Sequence, residues 1–243
     1  MQRYFIENEI NQELFDITDS NQCHHIVHVM RMKKGDKIIV CDQGSHCYQV
    51  EIIDLNKTKV TCKKLLALPL VKKPYHVTLA QSLIRKDHFE LVFQKATELG
   101  ADTIIPIETK RTIIKTNDKT IEQKIKRWES IITEASEQSH RSNKPKIKTL
   151  LPLTSIDFKP FDHIFVAYEQ EKTLSFKTAL KSVKPSAHLL VIIGPEGGFT
   201  EDEIAFLNAQ GVTSVSLGPR ILRSETAAIY ALSAISLMLE MSD

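Results

Sequence analysis

Residues 188–241 read HLLVIIGPEGGFTEDEIAFLNAQGVTSVSLGPRILRSETAAIYALSAISLMLEM, and this stretch decides the fold of the chain. The apolar run at 189–193 is typical of a strand that is buried on both faces. It ends at a glycine-rich loop, residues 194–198, whose backbone can approach a ligand closely. Thr200 and Glu203 have capping-box spacing, which predicts that a helix begins here.

The same pattern is repeated further along the stretch. Residues 212–217 predict a second strand, which is broken by Gly218-Pro219 and followed by a helix over 224–241. Two glycine-bearing loops therefore leave the ends of two nearby strands, where ligands bind in open α/β sheets. The spacing alone leaves open that these glycines only make tight turns.

The chain has 243 residues, 42% of them hydrophobic, which is ordinary for a globular protein of one large or two small domains. Its formal net charge is only +2, so total charge does not indicate a nucleic-acid partner. Residues 110–148, however, contain eleven Lys or Arg against five Asp or Glu. Such a segment is typical of a polyanion contact or of a solvated surface, and both interpretations stay open.

All four cysteines lie within the first 62 residues: Cys23, Cys41, Cys47 and Cys62. Their spacing fits no zinc pattern, and we interpret them as reduced thiols of a cytoplasmic protein. His24 and His28 have a spacing that can share an ion, but no third ligand follows, so we predict no metal site. No signal peptide is visible, and the apolar part of the last helix, 227–239, is too short to span a membrane.

The amino-terminal part is predicted to be rich in strands. Strands are expected at 3–7, 37–42, 46–55 and 59–66, with a helix over 20–32. Short strands at this spacing predict a small barrel.

Beyond a linker at 69–74 the pattern becomes α/β. Strands are expected at 76–82, 103–107 and 163–168, and helices at 86–99, 118–142 and 174–181. The strand–helix–strand order predicts parallel pairing. On the long helix, Arg127, Glu134 and Arg141 are spaced by seven, which predicts a row of ion pairs or a polar binding edge.

The loop at 194–198 matches no phosphate-binding motif. It lacks the Lys and Ser/Thr of a Walker A loop, its glycines do not follow GxGxxG, and the acidic Glu196 disfavours a pyrophosphate. GxSxG and HExxH motifs are also absent from the sequence. The residues favour a neutral or cationic ligand, or a polar ligand that is held through backbone groups.

Four longer motifs occur in order along the chain: KATELG at 95–100, EASEQS at 134–139, IGPEGGF at 193–199 and LGPRILRSETA at 217–227. With these motifs the chain resembles the RsmE family of the SPOUT superfamily, bacterial enzymes that methylate N3 of a uridine in the decoding region of 16S ribosomal RNA. The resemblance runs nearly from end to end, and it includes Arg3-Tyr4-Phe5 and the segment with His24, Val29 and Arg31.

This resemblance implies an α/β fold, with a carboxy-terminal SPOUT domain that contains a deep trefoil knot and an amino-terminal PUA-like β-barrel. Residues 1–72 would bind RNA, and residues 73–243 would bind S-adenosylmethionine and form a homodimer. The implied substrate is the 16S rRNA of the small ribosomal subunit. Topology rules alone would not predict the knot, because true knots are nearly absent from folds.

We expect three loops to form the donor site, the third of them after the strand at 163–168. The predicted cofactor-binding residues are Ala167, Tyr168, Glu169, Gly194, Pro195, Glu196, Gly197, Gly198, Leu217, Gly218, Ile221 and Leu222.

Uridine N3 carries a proton at neutral pH, so its methylation requires that the proton is removed or the anion stabilised. We predict Arg223 as the stabilising cation and Glu225 as the base, with Glu196 as a second candidate base. Glu225 also lies at a predicted helix start, where the helix dipole favours a carboxylate in any case. The predicted RNA contacts are Arg3, Arg31, Arg111, Arg127 and Arg141.

Two other classes of function stay open. The chain could be an α/β enzyme whose glycine loop binds a nucleotide, or an RNA-binding protein without catalytic activity. The last helix is apolar nearly all round, which fits burial against a second subunit or within a monomeric core.

Overall fold

A computed structural model describes residues 1–70, 73–114 and 118–240. The chain divides into two compact units, Met1–Lys72 with Ser136–Lys144, and Lys73–Ala135 with Pro145–Asp243. Of the sequence-based predictions, the linker at 69–74 lies partly outside the described residues, as does the end of the last helix at residue 241.

The amino-terminal unit is built on a five-stranded sheet in the order β1-β3-β4-β5-β2. The strands are Arg3–Phe5 (β1), Leu14–Ile17 (β2), Lys37–Cys41 (β3), Cys47–Leu55 (β4) and Val60–Ala67 (β5). Only β1 and β3 pair in parallel, and the other neighbours are antiparallel. The strand β2 was not predicted, because it lies at the edge of the sheet, buries a single residue and shows little alternation.

The helix predicted over 20–32 is shorter and less regular than expected. An α-helix, Ser20–His24 (α1), is capped by Asp19 and continues as a π-helix over His25–Val29. The Tyr4 hydroxyl and His25 Nδ1 lie 3.0 Å apart, which holds the π-helical turn to β1. Arg31 then adopts a φ of 53°, a conformation that ends the helix.

Cys41 and Cys47 form a disulfide, which corrects the prediction that all four cysteines are reduced thiols. They occupy directly opposite positions on β3 and β4, where antiparallel pairing brings side chains close together. Sequence spacing does not reveal strand register, so this pairing was not predicted. Cys23 and Cys62 are free and buried, and burial raises the pKa of Cys62 to about 12.

The second unit has a parallel sheet in the order β12-β10-β11-β6-β7-β8, with β9 pairing to β7. This confirms the predicted α/β fold with parallel pairing. Its strands are β6 (His76–Ser82), β7 (Thr103–Glu108), β8 (Lys146–Ile147), β9 (Leu151–Pro152), β10 (His163–Ala167), β11 (His188–Ile193) and β12 (Thr213–Val215). Its helices are α2 (Lys86–Glu98), α3 (Asp118–Gln138), α4 (Phe176–Leu180), α5 (Glu201–Ala209) and α6 (Ser224–Leu239).

Both faces of this sheet are buried, as the apolar run in β11 predicts. Leu189, Val191 and Ile193 join a core cluster with α2, α4 and α6. Their alternating neighbours in β11 join a second cluster with α5. Trp128 of α3 stacks on Phe93 of α2 with ring centroids 4.9 Å apart. The strands that carry the glycine loops are therefore held on both sides.

The row of ion pairs predicted along the long helix does not form as proposed. The helix α3 ends at Gln138, so Arg141 lies beyond it. Arg127 pairs instead with Glu90 of α2, with Nη2 and Oε2 3.3 Å apart. A spacing of seven residues relates positions on the same helix, so it does not predict a partner on a neighbouring helix.

Candidate functional site

The loop at residues 194–198 joins β11 to α5, and its backbone is close to several neighbouring side chains. Gly198 has a φ of +68°, and its amide donates to Pro195 O at 3.0 Å. A Cβ at Gly198 would lie 2.7 Å from Glu169 Oε1, and one at Gly194 would lie 2.9 Å from the Phe199 ring. A side chain at Gly194 would therefore clash with the buried Phe199 ring, and one at Gly198 would be strained by the positive φ and would displace the Glu169 carboxylate.

The carboxylate of Glu203 anchors this loop to its surroundings. Glu203 and Thr200 form the predicted capping box, in which Thr200 N donates to Glu203 Oε2 at 2.8 Å. The other oxygen of Glu203 accepts from Lys110 N, after β7, at 2.7 Å. Because Glu203 is only 6% exposed, these bonds fix the loop after β7 against the start of α5.

Two further contacts hold the exposed edge of the same loop. Arg111 Nη1 donates to Gly197 O at 2.8 Å. Glu196 Oε1 accepts from Arg85 N, immediately before α2, at 3.3 Å. The side chain of Glu196 is therefore engaged with the start of α2, and Arg111, predicted as an RNA contact, touches the glycine loop directly.

The third predicted loop follows β10 and meets the first. Glu169 lies against Gly198, as its close approach to that glycine shows. Burial raises the pKa of the Tyr168 phenol, the carboxylates of Glu169 and Glu201 raise it further, and Arg111 opposes them. Tyr168 is thus surrounded by charged groups from three different elements.

The second predicted loop follows β12, and it carries both polar and apolar groups. Gly218 has a φ of +116°, and its amide donates to Ser216 Oγ at 3.3 Å. Leu217 and Leu222 pack against the main core, whereas Ile221 is 80% exposed. Because β12, β10 and β11 are neighbours in parallel, all three predicted loops leave the same edge of the sheet.

Glu225, predicted as the base, is 7% exposed at the start of α6. Its Oε1 lies 3.4 Å from Nδ1 of His88 on α2. Its Oε2 is buried and has no hydrogen-bond partner among the residues that the structure describes. Arg223, at the N-cap position of α6, is exposed. Sequence reasoning missed His88, because no local spacing connects α2 with α6.

The predicted RNA contacts differ in their surroundings. Arg3 is 8% exposed, and its guanidinium donates to the carbonyl oxygens of His140 and Arg141. Burial also lowers the pKa of Arg3. Arg31 and Arg127 are exposed, the latter beside Glu90. Arg3 therefore has a structural role within the amino-terminal unit.

Two kinds of feature are absent from residues 1–70, 73–114 and 118–240. Within these ranges no group of three or more His, Cys, Asp or Glu side chains is arranged to hold a metal ion. None of the helices in this part of the chain combines the length and the apolar character needed to cross a bilayer.

The class of this protein follows from its similarity to known domains and relatives. Residues 71–236 match the model of an RNA methyltransferase domain, and residues 17–65 match that of an RNA methyltransferase PUA domain. The chain is 39% identical to ribosomal RNA small subunit methyltransferase E of Bacillus subtilis, over 99% of this chain and 98% of the relative. It is 34% identical to the Synechocystis enzyme of the same name, over 90% and 72% of the two chains.

Solved structures agree with these matches. Ribosomal RNA small subunit methyltransferase E of Neisseria gonorrhoeae, bound to S-adenosylmethionine, aligns over 100% of both chains with a TM-score of 0.87 and 25% identity. A Legionella pneumophila protein, described as a proposed methyltransferase in complex with the same cofactor, aligns over 96% of both chains with a TM-score of 0.86 and 27% identity. The chain belongs to the ribosomal RNA small subunit methyltransferase E family, RsmE.

We predict that Glu203→Ala destabilises the carboxy-terminal unit by about 2 kcal/mol, because two backbone N–H groups lose a buried acceptor. Glu201→Ala, an exposed acidic residue of the same first turn, is the matched control and loses only about 0.5 kcal/mol of dipole interaction. Urea unfolding followed by circular dichroism measures both. Equal midpoints for the two variants would contradict the anchoring role of Glu203.

Proposed function

We propose that this protein transfers a methyl group from S-adenosylmethionine to N3 of a specific uridine in the decoding region of 16S rRNA, within the small ribosomal subunit. The observation that carries this proposal is the meeting of three loops, at 167–169, 194–198 and 217–222, at one edge of the parallel sheet. Membership of the RsmE family supports it, as does the cofactor in the two relatives described above.

The residues at this edge fit S-adenosylmethionine. The glycines at 194, 197 and 198 carry no side chains, so a ligand could approach the backbone of this loop closely. The exposed Ile221, with Leu217 and Leu222, offers apolar contact for an adenine ring. The carboxylate of Glu169 beside Gly198 supplies negative charge that suits a cationic ligand. When bound, S-adenosylmethionine supplies an electrophilic methyl group on its sulfonium. Ala167, Tyr168, Pro195, Glu196 and Gly218 complete the proposed donor site.

Arg223 and Glu225 are the proposed catalytic residues. The exposed guanidinium of Arg223 is available to a uracil carbonyl oxygen, where it would stabilise the anion left by the N3 proton. Glu225 has one oxygen held beside His88, and its other oxygen lacks a partner among the described side chains. A buried carboxylate oxygen without a donor is suited to accept a proton from a ligand.

Residues 1–72 form the proposed RNA-binding domain, and residues 73–243 the methyltransferase domain. We propose phosphate contacts for Arg31, Arg111, Arg127 and Arg141, and assign Arg3 to stabilising the amino-terminal unit instead. Because N3 lies in the Watson–Crick edge, the target uridine must be unpaired or extruded. Action on ribosomal subunits would place the protein in the cytoplasm.

A homodimer and a deep trefoil knot are also part of the proposal. Tyr230 and Leu237 are exposed on α6 at 46% and 63%, which gives this helix an apolar outer face that a second copy could cover. The proposed knot rests on family membership.

We expect the protein to transfer tritium from labelled S-adenosylmethionine to small subunits that lack the modification, with the label at N3 of one uridine. A short unstructured RNA with the same uridine should react at least about 100-fold more slowly, because positioning supplies much of the acceleration. Nuclease digestion and chromatography locate the label. Calorimetric titration with ATP is the control for the alternative that the glycine loop binds a nucleotide.

The outcomes of this experiment separate the classes of function. Tight binding of ATP without transfer of label would favour a nucleotide-binding enzyme. Binding of small subunits without label would favour a non-catalytic RNA-binding protein. Equal rates on the short RNA would contradict recognition of the assembled particle.

We predict that Gly198→Ala weakens S-adenosylmethionine binding about tenfold or more, because a Cβ there meets Glu169 in a backbone conformation that also disfavours alanine. Gly211→Ala is the matched control, since Gly211 has a φ of +79° but open space around it. This variant should lose stability only. Calorimetric titration and thermal unfolding separate the effects. Normal binding by folded Gly198→Ala would remove this loop from the donor site.

We predict that Glu225→Gln lowers kcat about 100-fold or more, because an amide cannot accept the proton, while binding of S-adenosylmethionine is unchanged. Arg223→Gln should lower kcat about 100-fold by removing the cation beside the developing anion. Single-turnover transfer on small subunits measures both. Full activity of Glu225→Gln with loss in Glu225→Ala would show that Glu225 serves only as the partner of His88.

A further inference from the structure

A chain of buried hydrogen bonds links the first and second donor loops to the end of β6. Ser224, the first residue of α6, donates through Oγ to Gly194 O at 2.5 Å. Gln81 Nε2 donates to Ser224 Oγ at 2.8 Å and to Ser82 O at 3.0 Å. Gln81 is 0% exposed and Ser224 is 6% exposed.

The direction of each bond in this chain follows from the groups involved. The Ser224 hydroxyl has one hydrogen, which goes to the carbonyl of Gly194, so its oxygen must accept from Gln81. The Gln81 amide nitrogen has two hydrogens and two acceptors, Ser82 O and Ser224 Oγ. A reversed amide would place its oxygen against both acceptors, and the side chain therefore has a single favourable orientation.

Each donor loop also has anchors of its own that do not involve Ser224. The first loop is fixed through the capping box of Thr200 and Glu203. The segment before the second loop is fixed because Ser216 N donates to Leu174 O at 2.9 Å and Ser216 O accepts from Phe176 N at 2.9 Å. The Ser224 hydroxyl is the side-chain group, among the described residues, that bonds from the start of α6 directly to the first loop.

We propose that Ser224 and Gln81 are positioning residues of the donor site. Their bonds set the separation between the Gly194 carbonyl and the start of α6, and so hold the loops at 194–198 and 217–223 as one site for S-adenosylmethionine. This proposal rests on the proposed function. The bonds are buried and involve no atom of Arg223 or Glu225, so we expect their loss to act on donor affinity and to leave the proton transfer at Glu225 intact.

The test compares Ser224→Ala, Ser224→Thr and Gln81→Met in the full-length protein. Ser224→Ala removes the hydroxyl that bonds to Gly194 O, and Gln81→Met removes the amide that orients this hydroxyl. Both variants should therefore raise the Kd and KM for S-adenosylmethionine about tenfold. Their kcat on small subunits should stay within about twofold of the parent value. Ser224→Thr keeps the hydroxyl and should restore the Kd to within about threefold of the parent value.

Ser182→Ala is the matched control, because Ser182 Oγ also donates to a backbone carbonyl, that of Ala179, at 2.8 Å. Its Kd should equal that of the parent. Unchanged Kd in folded Ser224→Ala and Gln81→Met overturns the positioning role, as does a loss confined to kcat. Failure of Ser224→Thr to restore affinity also overturns it. Absence of S-adenosylmethionine binding by the parent protein would instead overturn the proposed function itself.

Discussion

Parallel pairing of β12, β10, β11 and β6 is the constraint on which the candidate site depends. Parallel neighbours cannot be joined by a tight hairpin, so each strand must end in a loop that leads away from the same edge of the sheet. Loops at 167–169, 194–198 and 217–222, which are distant in sequence, become neighbours for this reason. Burial of both faces then leaves this edge as the place where the strand ends can meet a ligand.

The carboxylates around this edge divide into structural and available groups. Glu203 accepts hydrogen bonds on both oxygens, from Thr200 and Lys110, so its charge is fully used in holding the loops. Glu225 has one oxygen beside His88 and the other without a partner among the described atoms. The same functional group, about equally buried, therefore suits two different tasks, and hydrogen-bond count rather than burial separates them.

The sequence predicted the parts of the fold that depend on local patterns. The apolar run before Gly194, the capping box of Thr200 and Glu203, and the helix from Ser224 all follow rules of spacing within a few residues. Pairings between distant elements were not predictable. Cys41 with Cys47 depends on strand register, and His88 with Glu225 depends on how α2 meets α6. Neither of these two pairings can be recognised from the order of residues along the chain.

Buried polar atoms without a partner among the described side chains occur in both units. Among the described side chains, buried atoms without a partner occur at Arg3, Gln22 and Ser136 in the amino-terminal unit, and at Gln81, Ser82 and Glu225 in the other. The second group surrounds the end of β6 and the start of α6, where Ser224 is bonded to Gly194. An unpaired buried oxygen costs about 1–3 kcal/mol. Such a cost is tolerated where polar atoms have a further use, and the atoms of the second group lie beside the loops that we assign to the donor.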